Sequence, residues 1–102
     1  MFTRRILDEV FPGETGASRL QQIGLFTLVF AGNEDGRPVT AAQLAELTGQ
    51  DGSQIARLLQ KLIARDLIER KPGEGRGQPW ILEVKQSAAA KKLIEAMSGN
   101  KG

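Results

Sequence analysis

The chain contains no cysteine and no histidine. The first absence excludes disulfides and thiol nucleophiles, and together they remove the two commonest transition-metal ligands. The second removes the side chain that most often moves protons near neutral pH. No nucleophile–base set and no metal-ligand spacing appears elsewhere, so neither an enzyme nor a bound metal or cofactor is expected. The neighbouring acids Glu34 and Asp35 read as a solvated loop pair. Long apolar runs are also missing. The longest lies around residues 28–31, far too short to span a bilayer. The opening "MFTRRILDEVFPG" lacks the apolar run of a signal peptide. The expected setting is a reduced cytoplasm, with no membrane partner.

What is present fits a single small globular domain over residues 1–102, with 40% hydrophobic and 25% charged residues. A domain of this size buries proportionally less surface than a large one. The net charge of +2 hides an asymmetry. Residues 1–52 hold four Arg against seven acids, giving −3, whereas residues 53–85 hold seven Arg and Lys against four acids, giving +3. Residues 86–102 add three Lys against Glu95, giving +2. A basic surplus that starts at one point in the chain suggests a face for a polyanion.

Helical periodicity dominates. "FTRRILDEVF" places Phe2, Ile6, Leu7 and Val10 on one stripe before "PGETG" interrupts it. "ASRLQQIGLFTLVFAGN" is a second helix, in which Leu20, Ile23, Phe26, Leu28, Val29 and Phe30 leave little polar surface in the later half, so that it is expected to be buried, ending near Gly32 and Asn33. Phe26 and Phe30 lie one turn apart there, as core or as part of a subunit interface. A very short strand is predicted at residues 37–39. Thr40 can cap "AAQLAELTG" with Gln43 three residues on, and Leu44 and Leu47 mark its buried side. Asp51 can cap the next helix, over 51–66, where Ile55, Leu58, Leu59 and Leu62 follow core spacing. "LIERKPG" and "PWILEVK" then read as two strands joined by the turn-rich "EGRGQ". Trp80 is expected to pack, in register with Leu82 and Val84. Ser87 caps a last helix over 87–98.

The order is helix, helix, short strand, helix, helix, strand, strand, helix. A helix-turn-helix followed by a two-stranded hairpin is a winged helix: mainly α, with a small β-hairpin wing. Over residues 40–84 the chain resembles winged-helix transcription regulators of the MarR (multiple antibiotic resistance regulator) family. "TAAQLAEL" is similar to their scaffold helix and "SQIARLLQKLIARDLIER" to their recognition helix and first wing strand, with Asp66 where glycine is common. At the wing, Glu74-Gly75-Arg76 has the spacing of the family's Asp-x-Arg but a longer acid. The resemblance implies a homodimer through N- and C-terminal helices, the former within residues 1–31. It leaves room for a small-molecule effector that no residue specifies.

In that frame, residues 40–85 form the helix-turn-helix and wing, and the expected partner is double-stranded DNA. Opposite the core stripe, the recognition helix presents Ser53, Gln54, Arg57, Gln60 and Lys61 for the major groove. Serine hydrogen-bonds several bases, glutamine pairs with adenine and arginine with guanine. Thr40 and Gln43 open the scaffold helix, either as a plain cap or as a cap that also seats a phosphate. In the wing, residues 70–80, Arg70, Lys71 and Arg76 lie among glycines and suit the backbone or the minor groove. The reading is a small sequence-specific transcription regulator. The rival is a winged helix that binds another protein instead of DNA.

Overall fold

The computed structural model describes residues 10–13, 16–73 and 75–98. In chain order the elements are α1 (Gly16–Glu34), α2 (Ala41–Thr48), α3 (Gly52–Ala64), β1 (Ile68–Lys71), β2 (Ile81–Val84) and α4 (Ala88–Met97). The expected first helix lies outside the described residues except at its end, where Val10 and Phe11 are buried in the core. Among the described residues, no helix is long and apolar enough to cross a membrane.

Local chemistry sets the helix ends. Thr40 and Gln43 form the full reciprocal box: the Gln43 amide donates to Thr40 Oγ1 at 3.2 Å, and the Thr40 amide to Gln43 Oε1 at 2.9 Å. Asp51 caps α3 by accepting from the Gln54 amide at 2.9 Å. Ser87 caps α4 in the same way through Ala90, at 3.0 Å.

Helix α3 is the centre of the packing. Its stripe of Ile55, Leu58, Leu59 and Leu62 meets Leu25, Phe26 and Val29 of α1 and Leu44 of α2. Leu67, Ile68, Leu82, Ala90 and Leu93 close the same core. Each fully buried Leu or Ile side chain contributes about 1.5–3 kcal/mol, so this stripe is the main reason α3 holds its rotation. Arg65 adds its guanidinium over the Phe11 ring, 5.5 Å from the centroid.

Where α3 ends, the Asp66 amide bonds to Ile63 O at 3.0 Å and the Leu67 amide to Leu62 O at 3.1 Å. That is the double bond of a Schellman turn, and Asp66 takes the left-handed conformation it needs, with φ 66°. The chain leaves directly into β1, which pairs antiparallel with β2 in the register Ile68↔Val84, Glu69↔Glu83, Arg70↔Leu82, Lys71↔Ile81.

The open edge of β2 is closed by two other segments. The Leu82 amide donates to Val39 O at 2.9 Å. Asn33, on α1, donates through Nδ2 to Leu82 O at 3.1 Å and accepts from the Val84 amide at 2.7 Å through Oδ1. The strand expected at 37–39 therefore shrinks to one bond. Arg37 spends its amide on Gly32 O at 2.8 Å, and Pro38 has no amide to give. Helix α1 correspondingly runs to Glu34, slightly past the expected stop.

Three packing expectations need correction. Leu47 is 65% exposed, because α2 is only eight residues long and Leu44 is its one fully buried residue. Leu20, counted with the apolar side of α1, is 71% exposed. Trp80 is 58% exposed, because hairpin pairing stops at Ile81 and leaves it one residue beyond the last rung.

Candidate nucleic-acid interface

The outward side of α3 follows from its core stripe. Ser53, Ala56, Arg57 and Gln60 are exposed opposite the buried leucines. Gly52 leaves the start of the helix open, with nothing within 4 Å of a Cβ built there. Gln54 is half-buried on the flank, where its backbone amide serves the Asp51 cap. Lys61 departs from expectation. It lies on the same flank, half-buried, with Nζ 3.4 Å from Ser18 Oγ of α1. Gln22, fully buried, donates to that same hydroxyl at 3.1 Å. Lys61 therefore ties α3 to α1 instead of pointing outward with Arg57.

The tip of α3 carries an acid as well. Asp51 Oδ1 accepts from the Gln54 amide at 2.9 Å and from the Ser53 hydroxyl at 2.8 Å. The amide bond is the larger cause and the hydroxyl the next. Together, with a smaller contribution from the charge of Arg57, they hold the carboxyl below its ordinary range.

The hairpin sorts its cations onto two faces. Ile68, Arg70, Leu82 and Val84 share one side of the register. Arg70 sits at the outer end of that side and lines a concavity of about 320 Å³ with Thr40, Ala41, Ala42, Pro79, Trp80 and Leu82. The cap of α2 and the first wing strand, remote in sequence, thus meet. The cap box takes up the Gln43 amide and the Gln43 side-chain oxygen. Ala41 and Ala42, in the same first turn of α2, line the concavity, and the amides of a helix start favour an anion there.

Lys71 belongs to the other face. The register sets Glu69 directly opposite Glu83, a like-charge pair that would weaken the hairpin. Lys71 sits against both, 2.9 Å from Glu83 and 3.9 Å from Glu69. The bond to Glu83, then the two acidic charges, raise its pKa above the usual lysine value. Its first task is to balance the wing, away from the face that holds Arg70.

At the tip, Arg76 is exposed within a tight turn, closed by the Gln78 amide 3.5 Å from Gly75 O. Gly75 and Gly77 flank it with φ of 89° and 80°. Glu74, the acid of the Glu-Gly-Arg spacing, lies outside the described residues. Sequence reasoning missed two features of this surface. One is Trp80 as part of the concavity, which Pro79 signals, because proline cannot continue a ladder. The other is the Asp51–Ser53 bond, which no periodicity marks.

A model of the MarR family matches residues 25–78. No curated protein matches the chain. Among solved structures, a mutant of S. aureus MepR bound to an oligodeoxyribonucleotide is similar with a TM-score of 0.67 and 19% identity, over 96% of this chain and 67% of that one. A mutant of E. coli MarR complexed with operator DNA gives 0.63 and 17%, over 95% of this chain and 64% of that one. A second MepR mutant, from a multidrug-resistant S. aureus clinical isolate, gives 0.64 and 20%, over 76% and 53%. The chain thus spans between half and about two thirds of the length of these structures. At these identities the likeness shows the fold, which is the winged helix.

Proposed function

The chain belongs to the MarR family, and we propose that it is a transcription regulator that binds double-stranded DNA. In this reading α3 enters the major groove, Ser53, Arg57 and Gln60 face the base edges, and Gln54 reaches toward them from the flank. Thr40 and Arg70 meet the phosphate backbone at their shared concavity, and Gln43 supports that contact through its cap bond to Thr40. Arg76 reaches the backbone or the minor groove. Lys61 and Lys71 act mainly by holding those elements in place. The observation that carries the reading is the meeting of the α2 cap and the wing at one concavity, together with the exposed polar face that α3 keeps opposite its buried stripe. We propose further that the protein acts as a homodimer on a roughly palindromic site, which would set two α3 helices about one turn of DNA apart, roughly 34 Å. A small-molecule effector belongs to the same proposal without named residues.

The rival reading, a protein-interaction module, draws support from Leu20 and Leu47, which are 71% and 65% exposed. The double substitution Arg57→Ala/Arg76→Ala separates the two. A mobility-shift titration should show affinity for DNA falling by tenfold or more, on the order of a lost base contact plus a lost phosphate contact. Thermal melting should be unchanged, because both side chains are exposed. Unaltered function in the double variant, with a stoichiometric protein partner and no DNA binding by the parent, would favour the rival.

A further inference from the structure

We infer that Ser53 acts as an obligate hydrogen-bond acceptor and so selects an amino-bearing base, adenine or cytosine, at its position in each half-site. The inference rests on the DNA-binding reading and names what one residue of that interface reads.

A serine hydroxyl has one proton and two acceptor sites. A serine free to rotate meets base donors and acceptors alike and discriminates poorly. Ser53 is not free in this sense. Its Oγ lies 2.8 Å from Asp51 Oδ1, on an exposed face of α3. The same carboxylate takes the Gln54 amide at 2.9 Å, which fixes it in place. An aspartate is ionised at neutral pH in any case, and those two donors lower its pKa further. An ionised carboxylate has no proton to give, so the proton between the two oxygens comes from Ser53.

Only the lone pairs of Ser53 are then left to face the groove. In the major groove the donors are adenine N6 and cytosine N4, whereas N7, guanine O6 and thymine O4 are acceptors. An acceptor brought against Ser53 would meet like polarity, with the Asp51 carboxylate 2.8 Å from the same Oγ. Ser53 could escape only by turning its proton away from Asp51. That would break a charge-assisted bond, about twice as strong as the neutral one gained in exchange. The bond to Asp51 wins, and the polarity of Ser53 stays fixed.

The test is selection of bound duplexes from a randomised pool by the full chain and by Ser53→Ala and Asp51→Asn, each checked by thermal melting. Asparagine is as good an N-cap as aspartate, so Asp51→Asn should keep α3 capped. The parent should prefer A or C over G or T at one position per half-site by roughly tenfold, the scale of a good base contact. Ser53→Ala should flatten that position and leave the others. Asp51→Asn should admit G or T there, because a neutral amide holds the serine proton less tightly. The inference is overturned if Ser53→Ala flattens no position, if the flattened position carries G or T in the parent, or if Asp51→Asn leaves it unchanged. Salt-sensitive binding with no enriched position would also overturn it while sparing the DNA-binding reading. No binding to any duplex at low salt would remove both.

Discussion

A single dihedral lets α3 turn directly into the wing. Asp66 is the only non-glycine with positive φ among the described residues. It sits where the Schellman turn requires the left-handed region, which is the position at which the resembling proteins commonly carry glycine. Aspartate reaches that region more readily than most side chains, and its carboxylate also meets Lys85 Nζ at 2.7 Å. Asp66→Gly should therefore change stability by less than about 1 kcal/mol, the strain removed being offset by added chain entropy. Asp66→Val, which is β-branched, should cost more than about 1 kcal/mol. Denaturant titration of the two variants checks the ordering. A second pair tests backbone approach. A Cβ at Gly24 meets nothing within 4 Å, whereas one at Gly32 falls 2.8 Å from Arg37 O and 3.2 Å from Val39 Cγ1. Both glycines lie inside α1, where alanine is ordinarily favoured by about 1 kcal/mol. Gly24→Ala should stabilise by up to that amount, and Gly32→Ala should destabilise by displacing the segment that bonds to β2.

Between elements, the least expected joint is the one made by Asn33. Its side-chain amide satisfies one carbonyl and one amide on the edge of β2, 49 and 51 residues away. This covers a strand edge that would otherwise lie open. Asn33→Ala leaves both groups without that partner in a half-buried place and should cost about 1–3 kcal/mol. Hydrogen exchange should show the Val84 amide losing protection first. The same joint explains what was legible in the sequence. Caps at Thr40, Asp51 and Ser87 and the stripe on α3 depend on residues three or four apart, so spacing reveals them. Asn33 read as a helix stop because its partners are distant. Leu47 and Trp80 read as packed because periodicity gives a face, not a neighbour. Leu47 is left largely exposed on its side of α2, and Trp80 lies past the last rung. Lys61 read as outward for a related reason: the flank of α3 that it occupies is covered by α1, through Ser18.

At the level of the whole molecule, the charge reversal at residue 53 acquires a spatial meaning. Not all of the basic surplus faces one way. Lys71 and Lys85 pair with acids on the hairpin and beside it, and Lys61 turns to α1. Arg57, Arg70 and Arg76 remain as the cations of the proposed interface. The lone tryptophan, Trp80, stands beside Arg70 and Thr40 at the mouth of the concavity. Its fluorescence should respond when a duplex occupies that face, without any added label. The most direct measurement is therefore a titration of the chain with genomic duplex fragments, followed through Trp80 over a series of salt concentrations. The DNA-binding reading predicts saturable binding that weakens linearly in log–log form, with the slope reduced by about one in Arg76→Ala, the loss of one phosphate contact. No fluorescence change and no salt-sensitive binding to any fragment at low salt would contradict it.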